Sequence, residues 1–314
     1  MIQLLVMIAF YFIVKYLFKK SDEEGKEFRQ LNNTSFNLPK EGGALQNLPK
    51  DSDKNIQLKL KDKTQLSRDS YQFRFEIPNS KMCMGLAVGQ HAMFSAQIQT
   101  KDKPNGDLVQ RKYTPVSAIN QKGYVDFVIK IYRRDSHPSF PEGGVMSQYL
   151  ENMQVGQSLL MSGPFGRILY QGYGKFLISK QVTMRNKIGL VASGTGITPC
   201  YQIIQAALAE KDDTELTLIY GSRTIGDILL KEQLDQFRNS NPTSFKLFYT
   251  IYDETPNPSW EGGKGFIDKQ MLAQNLPKPS PDTIILYCGP PSFDKAILNH
   301  LQELGYDNTM IQKF

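Results

Sequence analysis

The feature that most limits how this chain can fold is a change of hydrophobic rhythm near residues 179–187. Before it, from about Ile56 to Ile178, the signals are short and alternating: "IQLKLKDK", "YQFRFEIP", "HAMFSAQIQ", "RKYTPVS", "YVDFVIKIY" and "SLLMSGPFG". Successive side chains on a strand point to opposite faces, so such runs wet one face and bury the other, with Gly, Pro and Asn supplying the turns. After it, "KIGLVASGTGITPCYQIIQAALAE" joins a buried apolar run to a glycine turn and a helical period. The segments "TELTLIYGSR", "ILLKEQLDQFRN", "FKLFYTIYD", "DKQMLAQNLP", "TIILYCGPPSF" and "DKAILNHLQELG" continue the alternation of strand and helix. The reading is a two-domain β plus α/β protein: an antiparallel β-barrel over residues 56–178, then a doubly wound parallel sheet over residues 187–314, with a hinge around Ser179 to Lys187. A length of 314 residues suits two cores better than one. One helix is expected inside the barrel half, at "GGVMSQYLENM".

The amino-terminal "MIQLLVMIAFYFIVKYLF" is apolar around the whole helix and long enough to span a bilayer. Lys15 lies inside it and can snorkel toward the interface marked by Lys19 and Lys20. A secretory signal begins basic and ends in small residues, and this run does the reverse. Residues 1–18 therefore read as a membrane anchor helix contacting lipid, with a cytosol-facing body, and residues 19–55 as a polar linker.

The net charge of +6 suits an acidic partner, an anionic cofactor or an anionic membrane. Nucleic acid is disfavoured, because there is no zinc spacing, basic helix or ribonucleoprotein motif. Cys83, Cys200 and Cys288 are odd in number and far apart, which points to a reducing compartment rather than a disulfide framework. His91, His137 and His300 are equally scattered, so no metal site is expected.

Four short stretches carry chemistry. In "GLVASGTGITPCYQ" a buried strand ends at Ser193, and Gly194 and Gly196 let the backbone turn and approach a ligand. Pro199 suits the first turn of the helix that follows, whose free amide donors favour a pyrophosphate. In "YCGPPSF" Gly289, Pro290 and Pro291 start a new helix and leave Cys288 at the carboxyl end of a parallel strand, where such sheets bind ligands. In "GGVMSQYL" Gly143 and Gly144 open a helix with Ser147 in its first turn. Each of these is also compatible with plain packing, but together they imply phosphate sites in both halves and a dinucleotide in each. The "RKYTPVS" strand end then has a ligand: Arg111 to neutralise a pyrophosphate, the Tyr113 phenol to cover a ring system, and Thr114 to bond its edge.

These stretches, taken with "VGQH", "VDFVIKIY", "SHPSFPEGGVMSQYLENMQVG", "GPFGRILYQGYGKF", "SGTGITP", "DILLKEQL", "KGF" and "CGPP" in that order, resemble the NADH–cytochrome b5 reductase family of the ferredoxin-reductase superfamily. The likeness runs from about Ile56 to Phe314, and an anchor is usual in the family. It implies an FAD-dependent oxidoreductase that receives a hydride from NADH and passes single electrons to cytochrome b5 or a related acidic haem protein. Arg111, Tyr113 and Thr114 would hold FAD, with Val128, Lys130 and Tyr132 from the next strand, and Gly144, Met146 and Ser147 would take its pyrophosphate. Gly194, Thr195 and Gly196 would receive the nicotinamide-nucleotide pyrophosphate, and Cys288, Gly289 and Pro290 would seat the nicotinamide. Thr198 would reach the flavin ring from the second domain, and His91 with Thr114 corresponds to the family pair implicated in proton release from reduced flavin.

The chain departs from the family pattern in several places. Val145 stands where family members often carry Lys, and Ser193 replaces the first Gly of the common "GGTGITP". Arg223 follows a strand expected to border the adenosine ribose, where a guanidinium attracts a 2′-phosphate, so NADPH stands as the alternative to NADH. Tyr252 or Asp253 falls opposite the family's NADH-selecting Asp. Phe314 supplies the usual aromatic terminus. Alternative functional readings are a reductase with another acceptor, such as a desaturase, a quinone or a molybdenum protein, and an FAD-retaining structural subunit of a larger membrane complex. The endoplasmic reticulum and the mitochondrial outer membrane are the expected locations.

Overall fold

A computed structural model describes residues 43–44, 55–100, 103–135, 141–209, 214–253, 255 and 258–314. Among them no helix is long and apolar enough to cross a membrane, and the expected anchor at residues 1–18 lies outside them. The first half forms a six-stranded antiparallel sheet from β1 (Asn55–Gln65), β2 (Ser70–Glu76), β3 (His91–Thr100), β4 (Lys103–Tyr113), β5 (Tyr124–Lys130) and β6 (Ser158–Phe165). Its spatial order is β4-β3-β6-β1-β2-β5. The chain beyond β4 crosses to the other edge, where Pro115 bridges Phe127 and the Val116 amide donates to the Asp126 carbonyl at 2.8 Å. "RKYTPVS" is therefore the segment that draws the two edges of the sheet together, which explains a proline at a strand end.

Alternation sets the core. Leu58 and Leu60 of β1, Phe73 and Phe75 of β2, Phe94 of β3 and Phe127 of β5 are all fully buried. Three of these rings meet edge to face: Phe94–Phe127 at 4.7 Å, Phe75–Phe94 at 5.7 Å and Phe75–Phe127 at 6.2 Å between centroids. Tyr113 continues the cluster, its ring 4.6 Å from that of Phe94, so the barrel core runs without a break into the strand end singled out in the sequence. On the opposite face Arg74 clasps Asp126 with two bonds of 2.7 and 2.8 Å.

The expected helix is present as α1 (Val145–Asn152). Between the halves, β7 (Ile168–Tyr170), β8 (Lys175–Ile178) and β9 (Gln181–Met184) form a small antiparallel sheet. The stretch read as a hinge thus contains a strand: Ser179 and Lys180, both at positive φ, make the two-residue turn that pairs Ile178 with Gln181.

The second half is a parallel sheet of β10 (Lys187–Ser193), β11 (Glu215–Ser222), β12 (Phe245–Ile251), β13 (Gly263–Lys264), β14 (Thr283–Cys288) and β15 (Ile311–Lys313), in the order β13-β12-β11-β10-β14-β15. Its helices are α2 (Ile197–Ala209), α3 (Lys231–Ser240), α4 (Lys269–Asn275) and α5 (Pro291–Glu303). β10, β11 and β12 proceed to one side and β14 and β15 to the other, so the strand order reverses beside β10. In sheets of this kind the crevice beyond the carboxyl ends at that reversal is the ligand position.

Truncating the shared ring of the barrel cluster tests this packing. Phe127→Ala removes a ring held against Phe75 and Phe94, and is expected to cost about 3–5 kcal/mol of stability in urea denaturation.

Candidate functional site: a two-cradle nucleotide cleft

The reversal point is lined by the two glycine turns. Gly194–Gly196 forms a single 3-10 turn that runs directly into α2, with Pro199 in the first turn of that helix as expected. Gly194 has φ +55° and open space around the place of a side chain. Gly196 is different: a Cβ there would sit 2.1 Å from the Cys288 carbonyl oxygen, so the ends of β10 and β14 approach closer than any other residue allows. Ser193, the departure from the family pattern, is in an extended conformation at φ −133°, which a serine adopts freely. On the neighbouring strand Gly289 and Pro290 lead into α5, which begins at Pro291.

The glycine turn is fastened from below by Tyr220, a residue that sequence reasoning missed. Its hydroxyl donates to the Gly194 carbonyl at 3.0 Å and accepts from the Leu229 amide at 3.3 Å. A fully buried tyrosine in an apolar strand must find such partners, and that was the available signal. Thr198 is buried in the first turn of α2 and donates to the Thr195 carbonyl at 3.1 Å.

In the barrel half, β5 delivers buried Val128, half-buried Lys130 and, just beyond the strand, Tyr132. The Gly144 amide donates to the Tyr132 carbonyl at 2.8 Å, and the Tyr132 amide donates to Ser147 Oγ at 3.1 Å. Ser147 Oγ also donates to the Gly144 carbonyl at 2.9 Å. The Ser147 hydroxyl, read as a phosphate contact, thus ties the start of α1 to the end of β5, while buried Met146 packs into the barrel core. Gly143 is required here for a separate reason: its φ is +69°, and a Cβ would meet the Tyr132 carbonyl at 2.4 Å.

Arg111 is exposed near the end of β4, with one guanidinium N–H donated to the Gln110 carbonyl at 2.8 Å. Tyr113 is half-buried, and burial holds its phenol well above the ordinary range, with Arg111 partly opposing. The β3–β4 register pairs Ala92 with Tyr113, which brings His91 and Thr114 to the same end of the sheet. His91 Nε2 is buried without a hydrogen-bond partner, and burial, reinforced by Lys112, lowers the imidazole below its ordinary value.

The two cradles meet. β5 lies against the glycine turn, and while burial raises the Tyr132 phenol, the neighbouring Thr195 side chain of that turn opposes the shift. Beside this contact the Gly89 amide donates to the buried Gln202 of α2 at 2.9 Å. Burial, with Asp294 adding, pushes the Cys288 thiol up to about 11, so the weakly nucleophilic thiol form predominates at neutral pH.

The site residues fit a nucleotide in each cradle: open space over Gly194, backbone approach at Gly196, and unsatisfied polar atoms at His91 Nε2 and Ser222 Oγ. Comparison with known proteins agrees. The oxidoreductase FAD-binding domain family model matches residues 57–170, and the oxidoreductase NAD-binding domain model matches residues 190–299. The chain is 42% identical over 257 residues to NADH-cytochrome b5 reductase 3 of Rattus norvegicus, covering 79% of this chain and 83% of that protein. It is 38% identical over 276 residues to NADH-cytochrome b5 reductase 2 of Danio rerio, covering 85% and 87%.

The chain belongs to the NADH-cytochrome b5 reductase family.

Family likeness extends to larger proteins. Nitrate reductase (NADH) 1 of Nicotiana tabacum is 42% identical over 254 residues, which cover 80% of this chain but 27% of that protein. The crystal structure of the cytochrome b5 reductase domain of Ulva prolifera nitrate reductase superposes with a TM-score of 0.77 at 35% identity, over 83% of this chain and 97% of that one. The family fold is thus the antiparallel barrel plus parallel sheet described above.

Gly196→Ala is expected to weaken NADH binding by more than roughly 10-fold, equivalent to about 1.4 kcal/mol. Gly194→Ala meets only the backbone strain of positive φ, about 1–2 kcal/mol, and is expected to keep binding within a few-fold in the same titration. A second expectation concerns His91. The unfolded imidazole, near pKa 6.5, binds protons more readily than the folded one, so stability should fall as pH drops below about 6.5. His91→Gln should remove that component, read as a smaller difference between urea midpoints at about pH 7.5 and about pH 5.5.

Proposed function

We propose that the protein is a membrane-anchored flavoprotein reductase that takes electrons from NADH and delivers them singly to cytochrome b5 or a related acidic haem protein. The observation that carries this reading is the junction of the two cradles, where β5 lies against the glycine turn and the Gly89 amide of the barrel half donates to the Gln202 side chain of α2 at 2.9 Å; this favours a barrel-bound nucleotide beside a sheet-bound one. When bound, FAD supplies acceptance of an electron pair from NADH and its release one electron at a time.

The chain's own residues position, shield and neutralise. Arg111 would supply the counter-charge for a flavin pyrophosphate, and the start of α1, which packs against β4, would offer backbone amides to the same group. Tyr113, Thr114, Val128, Lys130 and Tyr132 wall the flavin position, with Tyr113 kept a neutral phenol by its burial. Gly194, Thr195 and Gly196 offer backbone to the NADH pyrophosphate. Thr198 and the protonated Cys288, with Gly289 and Pro290, limit the pose of the nicotinamide, which is how a site converts binding into reaction rate. His91, deprotonated at neutral pH, stands with Thr114 at the sheet end where a proton must be passed.

The net charge of +6 favours approach of an acidic haem protein. The apolar residues 1–18 support anchorage to a membrane of the endoplasmic reticulum or mitochondrion, and sharing that surface with the acceptor raises the encounter rate.

Anaerobic stopped-flow mixing tests the reading. NADH should bleach the flavin absorbance, and added cytochrome b5 should then show haem reduction. Thr198→Val should slow bleaching by roughly 10- to 100-fold with FAD retained. Raising salt should slow haem reduction while leaving bleaching unchanged. Bleaching without reduction of the haem would remove cytochrome b5 as acceptor, and no bleaching would remove the enzyme reading.

A further inference from the structure

Arg223 follows β11 directly, at the carboxyl end of the strand where dinucleotide-binding sheets discriminate the adenosine ribose. Its guanidinium is already engaged by carboxylates. Nε donates to Asp227 Oδ2 at 2.8 Å, and one terminal nitrogen donates to Asp227 Oδ1 at 3.0 Å. The same nitrogen reaches across to Asp69 Oδ2, in the barrel half, at 3.1 Å. Lys130 Nζ lies 3.4 Å from the same Asp69 oxygen, and Thr224 Oγ1 donates to Asp227 Oδ2 at 2.9 Å.

We propose that Arg223 is a positioning residue that ties the nucleotide-binding sheet to the FAD-binding barrel, and that it does not read a 2′-phosphate. This rests on the reductase reading above.

Charge arithmetic supports the second part. Two cations, Arg223 and Lys130, stand against two carboxylates, Asp69 and Asp227, leaving a sum of zero. A 2′-phosphate arriving here would find no uncompensated positive charge, and would have to displace a bidentate carboxylate while facing a second one. The nearest groups on the adjoining segment add nothing positive: the Arg223 carbonyl accepts from the Asp253 amide at 2.9 Å, and Tyr252 precedes it.

The path of the bonds supports the first part. Asp69 is buried just before β2, and its carbonyl accepts from the Ile131 amide at 2.6 Å. Ile131 precedes Tyr132, the residue that meets Thr195. Arg223 therefore links the end of β11 to the same short barrel segment that presents Tyr132 to the glycine turn. A charge-assisted, two-carboxylate clasp by a planar guanidinium resists sliding in a way that one point charge does not. Small displacements at such a junction change the alignment of the two nucleotides, to which reaction rate is sharply sensitive.

The test is stopped-flow flavin bleaching at saturating NADH and, separately, NADPH, on the FAD-loaded protein and its variants Arg223→Gln, Asp69→Asn, the double variant and Arg223→Lys. Thermal midpoints of all five are measured alongside. Both single changes should lower the limiting bleaching rate with NADH by roughly 10-fold, and the double change should be no worse than either alone. Arg223→Lys should fall between wild type and Arg223→Gln. The ratio of NADPH to NADH efficiency should move by less than about 3-fold in Arg223→Gln, since no 2′-phosphate contact is lost. A selective loss of NADPH use with the NADH rate intact would overturn the proposal in favour of a phosphate reader. Multiplicative effects of the two single changes, or none, would overturn it as well. If the wild type were bleached by neither nucleotide, the reductase reading would fall. The tie would then be judged by the thermal midpoints alone, supported if the two changes are non-additive and overturned if they add.

Discussion

The architecture depends on how closely two parallel strands end. β10 and β14 are neighbours, with Ala192 opposite Cys288, and the chain leaving β10 passes the end of β14 with no room for even a methyl group on Gly196. This approach makes the crevice at the strand-order reversal a surface of backbone, which suits a phosphate chain better than side chains would. Everything around it is arranged to keep that backbone still. Tyr220 pins the Gly194 carbonyl from beneath, Thr198 bonds back to Thr195, and Gly289 packs so tightly that a Cβ would lie 2.3 Å from the Phe293 ring.

The barrel supplies a complementary surface by a different route. Three of its buried phenylalanines pass their packing to Tyr113, so that ring continues the barrel core. Serine and glycine at the start of α1 then fix the end of β5, and β5 carries Tyr132 to the partner half. Burial moves the Tyr113 phenol and the Cys288 thiol further above neutral pH and the His91 imidazole further below it, which reinforces the uncharged form of each.

Much of this was legible in the sequence because it is local. Alternation gave β2, β3 and β5, the apolar run gave β10 and β14, and the Gly and Pro positions gave the starts of α1, α2 and α5. Local pattern says less where a residue has more than one use. Ser147 reads as a phosphate contact in its glycine setting, and its hydroxyl also bonds the Gly144 carbonyl and the Tyr132 amide, a structural role that the motif does not reveal. The stretch read as a hinge at Ser179 to Lys187 holds β9, whose four residues, "QVTM", include none that is deeply buried and so carry little strand signal. What could not be read were partners distant in the chain. Arg223 looks like a phosphate reader when only its own strand is considered, and its carboxylate in the barrel lies 154 residues earlier. Gln202 and Gly89 are separated by 113 residues, with no motif linking them.

The central claim is that one flavin nucleotide sits where the barrel meets the sheet. The most direct measurement is a titration of the flavin-stripped, folded chain with FAD, following flavin fluorescence and visible absorbance. The account predicts saturation at one FAD per chain with a perturbed flavin spectrum, and loss of tight binding when Arg111 is replaced by Ala. A folded chain that stays colourless in excess FAD would contradict it.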